Sequence, residues 1–282
     1  MTPVSPGITH HPSIFQLGPV IITGYGVALA LAFLIAWVVI SREAERRGHD
    51  AGVAIEIVFA AAVGALIGSK LYYIILTGDV GSLLSRGGLV FWGGVIGGTF
   101  AAWLLVRLRG LSFMRYADIT GIAVAAGYAV GRTGCWALGD DYGRPWDSPL
   151  AVRFPEGTPP STAINMVRVF GETPPEGSAP WSVLAVHPTQ LYETALGLVM
   201  FFLLWHRRDH KHAEGWLFGL YGVLAGVERF FIEFVRVKED RLPGGLSVAQ
   251  VVALTVALMG ALLMYARRNV TARTPGIYAT PL

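Results

Sequence analysis

The sequence predicts an all-α membrane protein with seven transmembrane helices and a Pro-rich arm outside the bilayer. Three observations predict it. The chain of 282 residues is 53% hydrophobic and only 15% charged, with a mean hydropathy of +0.53, beyond the usual range of a soluble domain. Its apolar residues fall into runs of about 20, the length that crosses a bilayer as a helix. Its cations gather between those runs in a pattern that orients a bundle.

The spans lie at roughly 17–40, 52–77, 89–106, 117–137, 189–205, 215–236 and 246–266, with edges uncertain by a few residues. The 41–51 connection carries Arg42, Arg46 and Arg47, and the 107–116 connection Arg107, Arg109 and Arg115. The 206–214 connection carries Arg207, Arg208 and Lys211, and the tail Arg267, Arg268 and Arg273. These twelve cations share one side. The other side has Arg86, Arg144, Arg153, Arg168, Lys238 and Arg241, with Arg236 at the boundary. Much of that second set sits in one long connection, which counts little toward orientation. The N-terminus is therefore expected outside and the C-terminus in the cytoplasm. A sequence pI near 9.1 is then a topology signal, and no nucleic-acid partner is expected. The first 15 residues have no basic segment or cleavage site, so no removable signal peptide is expected.

The chain divides into residues 1–137, the first four helices; 138–188, the external arm; and 189–282, the last three helices and the tail. The arm holds nine of the sixteen prolines, which excludes a membrane helix interior. It is expected to be compact and partly irregular. The single cysteine, Cys135, excludes an intrachain disulfide and a Cys-rich metal site, and no metal or other cofactor is expected.

Charges inside spans are costly and point to function. The run "ADITGIAVAAGYAV" is followed by "GRTGCWALGDDYGRP", which places Arg132, Asp140, Asp141 and Arg144 at a membrane edge. With the orientation above, six spans direct polar groups to the same outer layer. Span 1 offers Tyr25, span 2 Lys70, Tyr72 and Tyr73, and span 3 Trp92. Span 4 offers Arg132, and span 5 His187, Gln190, Tyr192 and Glu193. Span 6 offers Glu228, Arg229, Glu233 and Arg236. Arg229 and Glu233 are four apart and can pair on one helix face, and Arg236 extends that stripe. A structural ion pair between helices is the alternative use of those charges. Arginine forks match phosphate oxygens bidentately, so the layer suits a lipid headgroup whose phosphate leaves during reaction. No P-loop, GxSxG nucleophile elbow or HExxH zinc helix is present.

The Gly-Arg-x-Gly signature at 131–134 continuing to "GDDYGRP", "HPTQLYE" at 187–193 and "RFFIEFVR" at 229–236 resemble the prolipoprotein diacylglyceryl transferase family over roughly residues 20–265. The resemblance implies transfer of the diacylglyceryl group of phosphatidylglycerol to the lipobox cysteine of a preprolipoprotein, giving a thioether and glycerol phosphate. It implies three partners: phosphatidylglycerol, the lipobox segment and the inner-membrane bilayer. Carried over by position, Arg132, Asp140, Arg229 and Glu233 are the catalytic set. Tyr25, Trp92, Gly143, Gln190, Tyr192 and Arg236 are the substrate-binding set. Asp140 stands where the family usually has Glu. Cys135 and Leu138 occupy two positions that are usually Asn. Trp92 replaces a histidine that is a candidate base for the thiol, leaving Asp140, Glu233 or His187 to take the proton. Two alternatives stay open: a paralogue that binds phospholipid or lipoprotein without the chemistry, and a transporter with Lys70, Arg132, Glu193 and Arg229 along its path.

Overall fold

The computed structural model describes residues 7–18, 20–84, 90–237, 242 and 245–269. Arg86, Lys238, Arg241 and Arg273, four of the cations in the topology argument, lie outside the described residues. The described chain is mostly helical, with eight α-helices. Three of them are long and apolar enough to cross a membrane: α1 (Gly24–Arg46), α2 (Gly52–Thr77) and α8 (Val248–Ala266). Between them run α3 (Phe91–Leu108), α4 (Phe113–Leu138), the short α5 (Ala163–Phe170), α6 (Thr189–Arg207) and α7 (Trp216–Ile232). Each predicted span therefore contains a helix, but three boundaries differ in ways that matter to the site.

The first span is expected from residue 17, yet Ile14–Leu17 (β2) and Val20–Thr23 (β3) form an antiparallel hairpin, and α1 begins at Gly24. The β-branched run at Val20–Thr23 favours a strand. Thr23 then starts the helix, its side-chain oxygen accepting the Gly26 N–H at 3.1 Å, a cap worth about 1 kcal/mol. At its other end α1 runs through Arg42 and Arg46, residues expected in a connection. The buried Glu43 explains the extension, because it pairs with Arg46 at 2.9 Å and Arg47 at 3.3 Å from within the helix. The sixth span is expected to continue to 236, but α7 stops at Ile232. Glu233 closes its last turn, and Arg236 lies beyond it, bridged to Gly143 by backbone. The single helical stripe expected for Arg229, Glu233 and Arg236 therefore breaks after Glu233.

The helices share one apolar core. Ile119 and Ile122 of α4, Leu204 of α6, Leu217 of α7 and Ile40 of α1 are fully buried within it. Helix α4 is the central member, packing on α1, α6 and α7. Helices α2 and α3 pair with each other, as do α7 and α8, at contacts lined by small residues.

Residues 139–188 fold as an ordered unit rather than a tether. Val152–Arg153 (β4) pairs in parallel with Ile8–Thr9 (β1) and antiparallel with Ala185–Val186 (β5). A second, smaller core of Tyr142, Val152, Phe154, Met166, Val186 and Val237 lies beneath, with the Tyr142 and Phe154 rings stacked at 5.4 Å. Val237, just past α7, ties this unit to the bundle.

Candidate functional site

The site begins with how α4 ends. Gly139 takes a left-handed conformation (φ +73°), and its N–H satisfies the carbonyls of Cys135 and Trp136. The chain reverses through Asp140 and Asp141 and reaches Gly143 within four residues. Asp141 is the one non-glycine residue with positive φ among those described, at +56°, a region that Asp tolerates better than most. This reversal swings the Asp141 carboxylate back over Arg132, one and a half turns up the same helix.

Gly143 closes the loop. Its N–H donates to His187 O at 2.8 Å, and the Arg144 N–H donates to Val235 O at 2.9 Å. A methyl group at Gly143 would collide with Val235 O and come within 2.7 Å of His187 Cβ and 2.9 Å of Thr189 Cγ2. Only glycine admits this approach of three chain segments. Thr189 Oγ1 donates to Asp141 O at 2.6 Å, and Gln190 Nε2 donates to Asp140 O. The start of α6 thus grips the reversal by its backbone.

Three arginines converge below this loop. Arg132 lies 2.8 Å from Asp141 Oδ2, and Arg236 lies 2.7 Å from Asp141 Oδ1, so one carboxylate spans two guanidinium groups. Glu193 of α6, wholly buried, faces them from within. Its Oε1 is 2.9 Å from Arg132, 3.5 Å from Arg236 and 3.9 Å from Arg229. Arg229 also pairs with Glu233 at 2.6 Å, the i,i+4 contact that the spacing predicts. The Tyr128 hydroxyl lies 3.2 Å from Glu193 Oε1 and 3.1 Å from Glu228 Oε1. A phenol has one proton, so it donates to one of these carboxylates at a time. The Arg132 guanidinium also sits 5.3 Å above the Tyr128 ring.

The cluster is not fully satisfied. Arg229 Nη1, Arg236 Nε and Arg236 Nη1 are buried and make no hydrogen bond to a described residue, and neither do Asp140 Oδ1 and Glu193 Oε2. Unfilled buried donors are costly to a fold and mark places where a ligand completes the bonding. Burial, with help from neighbouring Asp141, pushes the Asp140 carboxyl up to about 6. Burial also acts on Asp141, but attraction to Arg236 and Arg132 outweighs it and holds that carboxyl below its usual value. Cys135, Asp140 and Asp141 bring potential ligand atoms within 4.8 Å of one another. Both Asp141 oxygens already face guanidinium groups, however, and a metal ion there would sit beside Arg132. The arrangement suits an anion.

The structure assembles Arg132, Arg229, Glu233 and Arg236, with Asp140 at the edge, Gln190 and Gly143 holding the loop, and Tyr25 packed against Gly134, two residues from Arg132. It does not bring every predicted residue to the same point. Tyr192 meets His187, 3.4 Å from its Nδ1, and His187 stacks on Trp146 at 4.3 Å. Trp92 sits on the first turn of α3, which packs chiefly on α2, and is 47% exposed. The Lys70 ammonium donates to Ser82 O at 2.9 Å and so holds the short 3-10 turn Val80–Leu84 rather than the arginines.

Three members lie outside the catalytic and substrate-binding sets that the resemblance implies: Glu193 and Asp141, which the sequence places only in the outer polar layer, and Tyr128. Glu193 is the hub, and the sequence carries a signal for it: it lies three residues after Gln190, on the same helical face, as the only acid of α6. For Asp141 the motif offers no signal, because the family position falls on Asp140 next to it. Tyr128 falls in the apolar run 117–130, where no local spacing marks it. At the opposite end of the bundle the sequence marks the connection cations but not the buried acids that they meet. There Glu43 is ringed by Arg46, Arg47 and Arg208, and the buried Asp118 accepts the Gly215 and Phe218 N–H groups at the start of α7, both at 2.8 Å.

Fold and site together define an α-helical integral membrane protein with a buried arginine–carboxylate cluster at one end of its bundle. A sequence model described as prolipoprotein diacylglyceryl transferase matches residues 12–266. The chain belongs to that family. It is 33% identical over 262 residues to the phosphatidylglycerol–prolipoprotein diacylglyceryl transferase of Geobacillus kaustophilus, covering 90% of this chain and 91% of that one. It is 30% identical over 269 residues to the protein of the same name from Nitratidesulfovibrio vulgaris (90% and 93%), and 27% over 258 residues to that of Clostridium tetani (88% and 94%).

Proposed function

We propose that this protein transfers the diacylglyceryl group of phosphatidylglycerol to the lipobox cysteine of preprolipoproteins in the bacterial inner membrane. Family membership over nearly the whole chain supports the reaction. The observation that carries the mechanism is the pair of guanidinium groups, Arg132 and Arg236, facing one anion with buried donors to spare.

In this reading the phosphate of the lipid takes the place of the Asp141 carboxylate between Arg132 and Arg236, with Arg229 beside it. The thiolate sulfur attacks the glyceryl carbon next to the phosphoester oxygen. The S–C bond forms, the C–O bond breaks, and glycerol phosphate departs with the electron pair. The arginines stabilise the charge that builds on the leaving group. Asp140 accepts the thiol proton: it has a buried oxygen without a partner and a carboxyl shifted up toward neutrality. Glu233 is the poorer base, because Arg229 holds it at 2.6 Å. Indole only donates, so Trp92 takes no part in this step.

The site lies at the outer face in this reading. α1, α2, α3, α4, α6, α7 and α8 span the bilayer with the N-terminus outside and the C-terminus in the cytoplasm. Residues 139–188 form the arm over the site. The test is transfer of label from phosphatidylglycerol to a lipobox peptide in membranes. Arg132→Ala and Arg229→Ala are expected to abolish it while leaving insertion intact. Near-normal turnover in both would reject the anion-holding role.

Trp92 at the family's histidine position favours a second reading, a scaffold that binds lipid without the chemistry. Complementation of a cell depleted of its own transferase separates the two, since only an active enzyme restores growth.

A further inference from the structure

Asp141 occupies the same space that the proposed reaction reserves for a phosphate, and four features show that its side chain is the removable member of the cluster. Its carboxylate is 41% exposed, whereas the side chains of Glu193 and Glu233 are 0% and 4% exposed. It sits outside any helix, on a reversal of positive φ. Its two oxygens are divided between Arg132 and Arg236 at 2.8 and 2.7 Å, as the two non-bridging oxygens of a phosphodiester would be. Its loop is held by backbone acceptors, through Thr189 and Gln190, so the carboxylate can leave without freeing the chain.

We infer that the Asp141 carboxylate is a built-in surrogate for the substrate phosphate: it caps the Arg132–Arg236 pair in the resting protein and is displaced when a phosphate oxyanion binds. The inference rests on the proposed phosphate subsite and adds to it a residue that sets how tightly that subsite binds. The physical reason is charge. Without a lid, two guanidinium groups would face an apolar bundle with only Glu193 against them, a costly arrangement. With Asp141 in place the resting site is compensated, and exchange of one monoanion for another keeps it so. The cost falls on affinity. A tethered competitor lowers the apparent affinity of every incoming phosphate by the fraction of time the site is closed. It also hastens release of the phosphate product, because the carboxylate returns as the product leaves.

The test uses the full-length protein in phosphatidylcholine vesicles doped with phosphatidylglycerol. Asp141→Asn removes the charge at constant size. Asp141→Gly removes the side chain and suits the positive φ, so it keeps the fold. Both variants are expected to lower the KM for phosphatidylglycerol about tenfold. They are expected to tighten binding of free glycerol phosphate, measured by calorimetry without any turnover, by a similar factor. The lipid arm reports the headgroup and the calorimetric arm the free phosphate. Unchanged or weaker binding in both variants would make Asp141 a clamp and overturn the inference, provided Arg132→Ala and Arg236→Ala still abolish glycerol phosphate binding. Normal binding in those two arginine variants would instead remove the subsite on which the inference rests.

Discussion

Arg132 on α4 and Glu193 on α6 meet at 2.9 Å with the carboxylate wholly buried, and the same oxygen of Glu193 lies within 3.9 Å of Arg229 and Arg236. One acid therefore organises three arginines from three parts of the chain. In a low-dielectric bundle, neutralising the hub leaves three cations with only Asp141 and Glu233 to compensate them.

Glu193→Gln is expected to lose about 3–5 kcal/mol of stability, the usual cost of breaking a buried pair. The expected readout is a lower thermal midpoint in detergent together with loss of transfer. An unshifted midpoint would mean that Asp141 and Glu233 suffice to hold the arginines.

Tyr128→Phe keeps the ring beneath Arg132 and removes the proton shared by Glu193 and Glu228. The two carboxylates then face each other without a donor between them. A drop in kcat/KM is expected with a smaller loss of stability than Glu193→Gln, because the cation–π contact survives. Turnover equal to the native protein would limit Tyr128 to packing.

Gly143→Ala tests the loop. The added methyl collides with backbone of Val235 and with His187 and Thr189, none of which is a flexible chain end. Overpacking of this kind costs about 1–3 kcal/mol and moves Asp141 and Arg236 relative to each other. Transfer should fall more than stability does, measured as rate and midpoint on the same preparation.

The pH dependence follows from two neighbouring acids with opposite shifts. Asp140 is raised from 3.8 to about 6, so it is ionised only above that value, and transfer should fall as pH drops through about 6. Asp140→Asn should remove that limb and slow the reaction about 10²–10⁴-fold. On stability the sign is reversed. Asp140 holds its proton longer folded than unfolded, so its contribution is greatest below 3.8 and is lost as pH rises through about 6. Asp141 is lowered, so its contribution is present above 3.8 and is lost as pH falls through its depressed value. A rate profile flat from pH 5 to 8 would remove Asp140 as the proton acceptor.

At the far end of the bundle, Glu43→Gln takes the buried carboxylate from Arg47 and leaves Arg46 and Arg208 with the exposed Asp209 alone. It should lower the thermal midpoint while leaving the KM for phosphatidylglycerol unchanged. A changed KM would couple the two ends of the bundle.

The sequence by itself determined where the seven long helices lie, though not α5 or the ends of α1 and α7, because apolar runs and their polar breaks depend only on neighbours along the chain. It also determined that Arg229 and Glu233 pair, since spacing of four on a helix needs no partner element. The motifs carried the family. The tertiary structure decided which acid meets which arginine. Glu193, Arg132 and Arg236 are joined by how α6, α4 and the end of α7 turn toward one another, and no local spacing records that angle. It also decided that α7 stops at Ile232, where the backbone of Gly143 pairs with Arg236 in place of another helical turn, and that Asp141 rather than Asp140 reaches the arginines. Both outcomes depend on one tight reversal after Gly139, held through its backbone by residues about 50 positions away (Thr189 and Gln190). Contacts at such separation form only when the whole bundle closes, so hydropathy and spacing could place the charges at one end of the molecule but not pair those on different helices.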